Sequence, residues 1–298
     1  MSKTPVWSAA VVGALALLLS FAPARSWGQR FLTMLRVQKV AVVPVEVPAL
    51  TFGGSNSAFS KPLAQLISDN VLVTMKPGSP KPVSDPQTAS EMAGFHVRTM
   101  SALGTPQRIS VTDEAAFQLT LDQDRIQAVF AEVGRSDIPV PASIDGAVIA
   151  VHIPRAVLMQ YGTCPHASPA PSTGPPPSHT PCTEFVQIPS PIVSVPPTLN
   201  VSALAEAGLQ LAGMSAACAH AFSQTVDWSS TLVIPLPQNI SSYQTIPIDG
   251  VNGTLIEAAP RGPLPGGYTL IWIKNGIVYS LSGNASPDSA LLAASSLS

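Results

Sequence analysis

Charge is scarce in this chain. Only 11% of its 298 residues are Asp, Glu, Lys or Arg, and the formal net charge is −2. A protein that binds nucleic acid needs a field of Lys and Arg to neutralise phosphates, so the composition argues against a nucleic-acid partner. Hydrophobic residues make up 46% of the chain, which is enough for a sizeable core.

Cysteines are also few, with three in the chain. Cys164 and Cys182 bracket a Pro-rich segment that cannot pack by itself, and their spacing predicts a disulfide. Closing that loop would stabilise the fold by about 3 kcal/mol and would require an oxidising compartment. Cys218 lies in an Ala-rich helical stretch and is predicted to be a small buried hydrophobe.

The bracketed segment also contains two histidines. Cys164, His166, His179 and Cys182 together make up the ligand set of a tetrahedral zinc site. The alternative is a disulfide with two incidental histidines, and we favour it because exported thiols tend to oxidise. The sequence therefore predicts neither a bound metal nor a cofactor.

Long apolar runs are absent except for one near the start. No charge lies between Lys3 and Arg25, and residues 6–22 are almost wholly apolar. An uncharged helix of about 20 residues can cross a bilayer. We favour a retained membrane anchor over a cleaved signal, because Pro23 interrupts the Ala22-Pro23-Ala24 cleavage-like triplet.

Orientation is in conflict within the sequence. Positive charges after the apolar run, at Arg25, Arg30, Arg36 and Lys39, would place the main domain in the cytoplasm. We nevertheless favour export, because the rest of the sequence reads as a domain outside the cytoplasm, and the predicted disulfide agrees with it. We expect a single-pass protein of the bacterial inner membrane with its main domain outside the cytoplasm, or a secreted protein if the signal is cleaved.

The fold class is predicted from the order of short elements. Thirty-one prolines favour turns and edge strands over long helices. Short helices and strands alternate without a regular βαβ rhythm, which predicts α+β with a mixed or antiparallel sheet after the membrane helix. The predicted regions are 1–25 as anchor or signal, 26–86 as juxtamembrane helix, strands and linker, 87–162 as α+β, 163–190 as Pro-rich insert, and 191–298 as an α+β region packing with 87–162.

Several elements have strong local signals. Residues 26–38 have helical spacing and predict an amphipathic juxtamembrane helix or the first helix of the domain. Asp122 predicts a helix start and Gly134 its end. Asn275-Gly276 predicts a tight hairpin turn.

Two parts of the chain resemble the extracytoplasmic region of bacterial transmembrane anti-sigma factors and a related domain family of unknown function. The residues that carry the resemblance are ASEMAGF (89–95), Ile144-Asp145-Gly146, Asp227-Trp228, Ile248-Asp249-Gly250-Val251, TLIWIKNGIVYSLSG (269–283) and SALLAASSL (289–297). The resemblance covers about 60% of the chain, by a loose count. It implies an external domain that senses or transmits envelope conditions.

The chain departs from that family at its start. Anti-sigma factors of this kind carry a cytoplasmic domain before the membrane span, often with a His-x-x-x-Cys-x-x-Cys zinc motif. That motif does not occur in this sequence. The resemblance therefore implies a signalling role through a partner in or near the membrane and puts direct sigma-factor binding in doubt.

Other polar and aromatic residues have structural explanations beside functional ones. Trp228, Trp272 and Tyr279 are candidates to line a ligand cleft, although large aromatics at strand spacing are more often core residues. Asp122 and Asp124 could form a carboxylate pair for metal binding or acid–base chemistry, but they also suit a helix start.

The sequence thus predicts a non-enzymatic, membrane-anchored interaction domain. The alternative is a periplasmic carrier whose curved sheet holds a lipid or a lipoprotein acyl chain. An enzyme would require a cleft that joins His152 or His220 to a carboxylate and a hydroxyl.

Overall fold

The computed structural model describes residues 33–45, 69–164, 181–237, 241–258 and 266–298 and has an α+β fold. The described helices are α1 (Pro86–Ala93), α2 (Gln123–Glu132), α3 (Val201–Leu211), α4 (Ala216–Thr225) and α5 (Pro287–Ser295). The described strands are β1 (Thr33–Arg36), β2 (Lys39–Val45), β3 (Val71–Met75), β4 (Lys81–Val83), β5 (Arg108–Thr112), β6 (Ala115–Thr120), β7 (Val148–Ile153), β8 (Ala156–Gly162), β9 (Cys182–Pro189), β10 (Ile192–Val195), β11 (Thr231–Pro237), β12 (Ser241–Ile248), β13 (Val251–Ala258), β14 (Gly267–Lys274) and β15 (Ile277–Gly283).

These strands form two antiparallel sheets and one parallel pair. The larger sheet has eight strands in the order β12-β13-β14-β15-β9-β8-β5-β4, and the smaller has five in the order β1-β10-β7-β6-β3. β2 and β11 pair in parallel. The prediction of an α+β fold with mixed or antiparallel sheets is therefore confirmed.

The two sheets are joined where β7 continues into β8 and where β9 continues into β10, each across a bend. β8 and β9 pair in the larger sheet from Gly162↔Cys182, and β7 and β10 pair in the smaller sheet up to His152↔Ile192. Both segments advance by the same number of residues between those pairs, so the register is kept across the bend. Pro154 and Pro191 lie at the bend, where each lacks the N–H that a continuous ladder would need.

Three apolar clusters hold the layers together. Helices α1 and α5 cover one face of the larger sheet, over fully buried residues such as Phe185, Leu270 and Trp272. The smaller sheet packs with α2 and α3, and the β2–β11 pair packs with α3 and α4. Each large side chain removed from water in this way contributes about 1.5–3 kcal/mol.

Local signals in the sequence define several element ends. The Asp122 carboxylate accepts a hydrogen bond from the Arg125 backbone N–H and caps α2, and Gly134 follows the helix with φ 77°. Asn275 and Gly276 both have positive φ, at 52° and 75°, and join β14 to β15 as predicted. Ser215 caps α4 by accepting from the Cys218 backbone N–H.

Two local predictions are wrong. Residues 33–36 of the predicted helix 26–38 form β1 instead, because this segment pairs with β10 and the long-range ladder outweighs helical spacing; residues 26–32 lie outside the described residues. Cys218 is exposed, because it lies in the first turn of α4 while Ala219 and Ser223 form the buried side of that helix.

The predicted anchor, residues 6–22, lies outside the described residues. Among the helices that are described, none combines the length and the apolar character needed to cross a membrane.

Candidate functional site

One polar cluster in the described part of the chain is built around Asp249. This residue occupies the turn between β12 and β13, where it adopts φ 53° and is followed by Gly250 at φ 76°. Asp has a short polar side chain that tolerates this left-handed conformation better than most residues. The turn directs the carboxylate of Asp249 to two cations, Arg98 and Lys274, and we call these three residues the Arg98 cluster.

Both cations bind the same carboxylate. Arg98 donates from Nη1 to Oδ2 and from Nη2 to Oδ1, the latter at 3.2 Å. Lys274 Nζ donates to Oδ1 at 2.8 Å and to the Asp249 backbone carbonyl at 2.6 Å. The Asp249 side chain is only 10% exposed, so these charges interact with limited screening by water.

Arg98 also connects three other parts of the fold. Its backbone N–H and C=O both bond to the side-chain amide of Gln187, which is fully buried in β9. Its Nη2 donates to the carbonyl of Leu297 at 3.1 Å, and its guanidinium lies 5.8 Å from the centre of the Tyr279 ring. The segment after α1, the larger sheet and the segment after α5 therefore meet at one side chain.

The electrostatics of the Arg98 cluster favour a structural role. Burial on its own raises the pKa of Asp249, but hydrogen bonds from Arg98 and Lys274 outweigh it and hold that pKa below the ordinary value of 3.8. The Asp249 hydrogen bond in turn raises the pKa of Arg98. A carboxylate held ionised by two cations is a poor general base, so this cluster cross-links the fold.

The disulfide predicted from the sequence is present. Cys164 and Cys182 are bonded, with their Cα atoms 4.7 Å apart. The bond closes the end of the β8–β9 hairpin, where Thr163 N also donates to the Pro181 carbonyl at 3.1 Å. Asn284 reinforces this end, since its side-chain oxygen accepts from Cys182 N at 3.0 Å.

The same geometry does not suit a metal ion. Glu184 lies close to both sulfurs, but a disulfide offers no thiolate ligand. The Glu184 carboxylate already accepts a hydrogen bond from Gln160 at 2.6 Å. His166 and His179, the other members of the candidate zinc set, lie outside the described residues.

The three candidate cleft aromatics occupy two separate places. Trp272 and Tyr279 stack on each other at 5.1 Å and both stack on Phe185, beneath α1 and α5. Trp228 belongs to the cluster around β2 and β11, where its Nε1 donates to the Ser223 carbonyl at 2.8 Å. All three act as packing residues and do not line a common cleft.

Two histidines meet carboxylates, as an enzyme would require. His152 Nε2 lies 3.0 Å from Glu114 Oε2, and His220 Nδ1 lies 3.0 Å from Glu206 Oε2. Ser223 Oγ lies 3.5 Å from Glu206 Oε2 and donates to the His220 backbone carbonyl at 2.9 Å, but no hydrogen bond joins it to the imidazole. These contacts therefore lack the nucleophile–base hydrogen bond of a catalytic triad.

The two candidate carboxylates, Asp122 and Asp124, lie at the start of a helix. Asp122 caps α2 and Asp124 follows in its first turn, where a negative charge suits the helix dipole.

An open depression of about 390 Å³ lies where the sheets meet and is lined by Val37, Gln38, Ile273, Asn275 and Gly276. It has no charged side chain among these lining residues, so it offers no evident chemistry.

The Arg98 cluster was missed in the sequence because its members are far apart. Arg98 and Asp249 are separated by 151 residues. The available signal was the Asp-Gly turn at 249–250, which placed an acid at a tight turn but did not identify its partners.

Comparisons of the chain with family models, with curated proteins and with solved structures give no match.

Proposed function

We propose that this protein is a non-enzymatic, membrane-anchored domain that lies outside the cytoplasm and binds a protein partner in or near the membrane. Residues 6–22 act as the anchor in this proposal. The resemblance to the external part of anti-sigma factors supports a role in sensing or transmitting envelope conditions.

The disulfide between Cys164 and Cys182 is the observation that carries the proposal. Such bonds persist in oxidising compartments and are rare in a reducing cytoplasm. The bond sits at a hairpin end that hydrogen bonds also close, so it belongs to the folded architecture. The bond therefore supports a location outside the cytoplasm.

The described polar groups support binding over catalysis. The Asp249 carboxylate is occupied by two cations, and the His220 imidazole contacts a carboxylate but no nucleophile. The carrier alternative receives less support, because the face of the larger sheet beneath α1 and α5 is filled by the protein's own side chains. No observation therefore favours an enzyme or a carrier over an interaction domain.

The test begins with location. Cells that express the full chain are converted to spheroplasts and treated with protease and with a membrane-impermeant thiol reagent. We expect the main domain to be digested only from outside, Cys218 to be labelled, and Cys164 and Cys182 to be labelled only after reduction.

Partner binding is tested by crosslinking in intact cells and purification in mild detergent. We expect a membrane or regulatory protein to be recovered with the wild-type chain. Protection of the domain from external protease, together with free thiols at positions 164 and 182, would refute the location, and recovery of the chain alone would refute the partner.

A further inference from the structure

A carboxylate lies beside the disulfide of the β8–β9 hairpin. Cys182 and Glu184 are two residues apart on β9, so their side chains lie on the same face of the larger sheet. A carboxylate oxygen of Glu184 and the sulfurs of Cys164 and Cys182 all lie within 4.8 Å of one another. The bond that closes the hairpin is therefore next to a negative charge.

The neighbouring strand fixes the position of this carboxylate. Gln160 of β8 is the register partner of Glu184, and its Nε2 donates to Glu184 Oε1 at 2.6 Å. A side-chain amide is neutral, so this contact orients the carboxylate without cancelling its charge. Both residues are half-buried, and the charge of Glu184 acts on the sulfurs with less screening than that of a fully exposed acid.

No cation pairs with Glu184 in the part of the chain that the structure describes, where none of the ion pairs includes it. Arg108 is the register partner of Gln160, which places its backbone two strands from Glu184, about 10 Å away. Arg108 is exposed, so salt screens its charge. Cys164 Sγ also lies 3.7 Å from the carbonyl oxygen of Tyr161, which adds a partial negative charge. The surroundings of the two sulfurs are therefore negative.

Reduction of a disulfide passes through negatively charged sulfur. A reductant thiolate bonds to one cysteine sulfur, the S–S bond breaks, and the other cysteine sulfur leaves with the bonding electron pair and takes a proton from water. A second reductant thiolate releases the first cysteine in the same way, and the reductant ends as a disulfide. At each step the sulfurs that carry negative charge lie beside Glu184, and like charges at this distance repel.

We propose that Glu184 protects the Cys164–Cys182 disulfide from thiol reductants, and most strongly from anionic ones, by electrostatic repulsion. A unit charge about 5 Å from the reacting sulfur changes the rate about fourfold even at the dielectric constant of water. The inference concerns the chemistry of this bond and depends neither on the anchor nor on the partner proposed above. Its failure would therefore leave the proposed function standing.

The test compares two thiols that differ in charge on the full chain in mild detergent. Cys218→Ser removes the free thiol, so that thiols appear only from the disulfide. Glutathione is negatively charged outside its thiol, whereas cysteamine carries an ammonium group. Each is used in excess at a single pH, and the released thiols are alkylated and counted by intact-mass spectrometry.

The test variant is Glu184→Gln, which removes the charge and can keep the contact with Gln160. The matched control is Glu257→Gln in β13. Glu257 is also a half-buried acid that faces a glutamine across strands, with Gln244 Nε2 at 3.5 Å. It lies three strands from β9, about 14 Å away, so its charge is too distant to act on the disulfide.

We expect Glu184→Gln to raise the rate of reduction by glutathione about fourfold and to change the rate with cysteamine less than twofold. Glu257→Gln should change neither rate. An unchanged glutathione rate in Glu184→Gln would overturn the inference. Equal acceleration with both thiols would also overturn it, because a hairpin that is merely loosened reacts faster with any thiol.

Salt provides a second measurement that needs no substitution at Glu184. The Debye length falls to about 3 Å at about 1 M salt, so the repulsion should be lost. The glutathione rate of the chain with Glu184 intact should then rise about fourfold, while the cysteamine rate changes little. A glutathione rate that does not depend on salt would refute the electrostatic protection.

Discussion

Replacing Asp249 by Asn tests the role assigned to the Arg98 cluster. Asn is close in size to Asp and also tolerates positive φ, so the turn at φ 53° can be kept. The change removes the negative charge that Arg98 and Lys274 share. The effect on stability therefore reports the charge of Asp249 and little else.

The magnitude follows from burial. Removing one partner of a fully buried ion pair costs about 3–5 kcal/mol, and exposed pairs are worth about 0–1 kcal/mol. The side chains of Asp249, Arg98 and Lys274 are 10%, 19% and 33% exposed, which is between those limits. We expect Asp249→Asn to lower the free energy of unfolding by about 2 kcal/mol, after the discount for partial exposure.

The pH dependence has a definite sign. Because the folded-state pKa of Asp249 lies below its unfolded value, its stabilisation is present above about pH 4 and is lost as the pH falls through the lowered pKa. The difference between wild type and Asp249→Asn should therefore be largest near neutral pH and shrink in acid. Urea unfolding at a series of pH values under non-reducing conditions measures both quantities.

The matched control is Asp145→Asn, in the other Ile-Asp-Gly turn. Asp145 is exposed and accepts a single hydrogen bond from Gln123 N at 3.2 Å, so we expect a loss of about 0.5 kcal/mol or less. Equal losses for the two variants, or a loss for Asp249→Asn that persists unchanged in acid, would refute the account of the Arg98 cluster.

Three further predictions concern stability. Replacing Cys164 and Cys182 together by Ala should lower the free energy of unfolding by about 3 kcal/mol in urea titrations, and a variant as stable as the oxidised wild type would contradict this. Gly208→Ala should raise the free energy of unfolding by about 0.5–1 kcal/mol, because a Cβ at this helical site meets no other atom within 4 Å. Gly253→Ala should lower the free energy of unfolding by about 1–3 kcal/mol, because its new Cβ would lie 2.7 Å from the Ile248 side chain. Effects of the same sign would refute the packing argument. Asp122→Ala should cost about 1 kcal/mol in the same assay through loss of the α2 cap, and an unchanged midpoint would show that the cap is dispensable.

Features set by neighbouring residues could be predicted from the sequence. The cap at Asp122, the helix end at Gly134 and the hairpin at Asn275-Gly276 each depend on a few adjacent residues. The disulfide also followed from spacing, because Cys164 and Cys182 bracket a segment with no means of packing. In each case the chemistry of one or two residue types fixes the local backbone.

Features set by distant residues could not be predicted. The strand at Thr33–Arg36 depends on its pairing with β10, about which its own helical spacing says nothing. The contact of Arg98 with Asp249 depends on the order of strands in the larger sheet. The exposure of β3 likewise depends on its place at the end of the smaller sheet, since an interior strand with the same residues would be buried.

The shared register of the bent strands has a consequence for folding. A slip of one residue between 148–162 and 182–195 would reverse the inward and outward sides of the strands in both sheets together. An error in register therefore cannot be corrected in one sheet alone, and these strands cannot unfold in one sheet without disturbing the other sheet. We expect the domain to unfold in a single cooperative transition, with the same midpoint whether tryptophan fluorescence or backbone circular dichroism is followed.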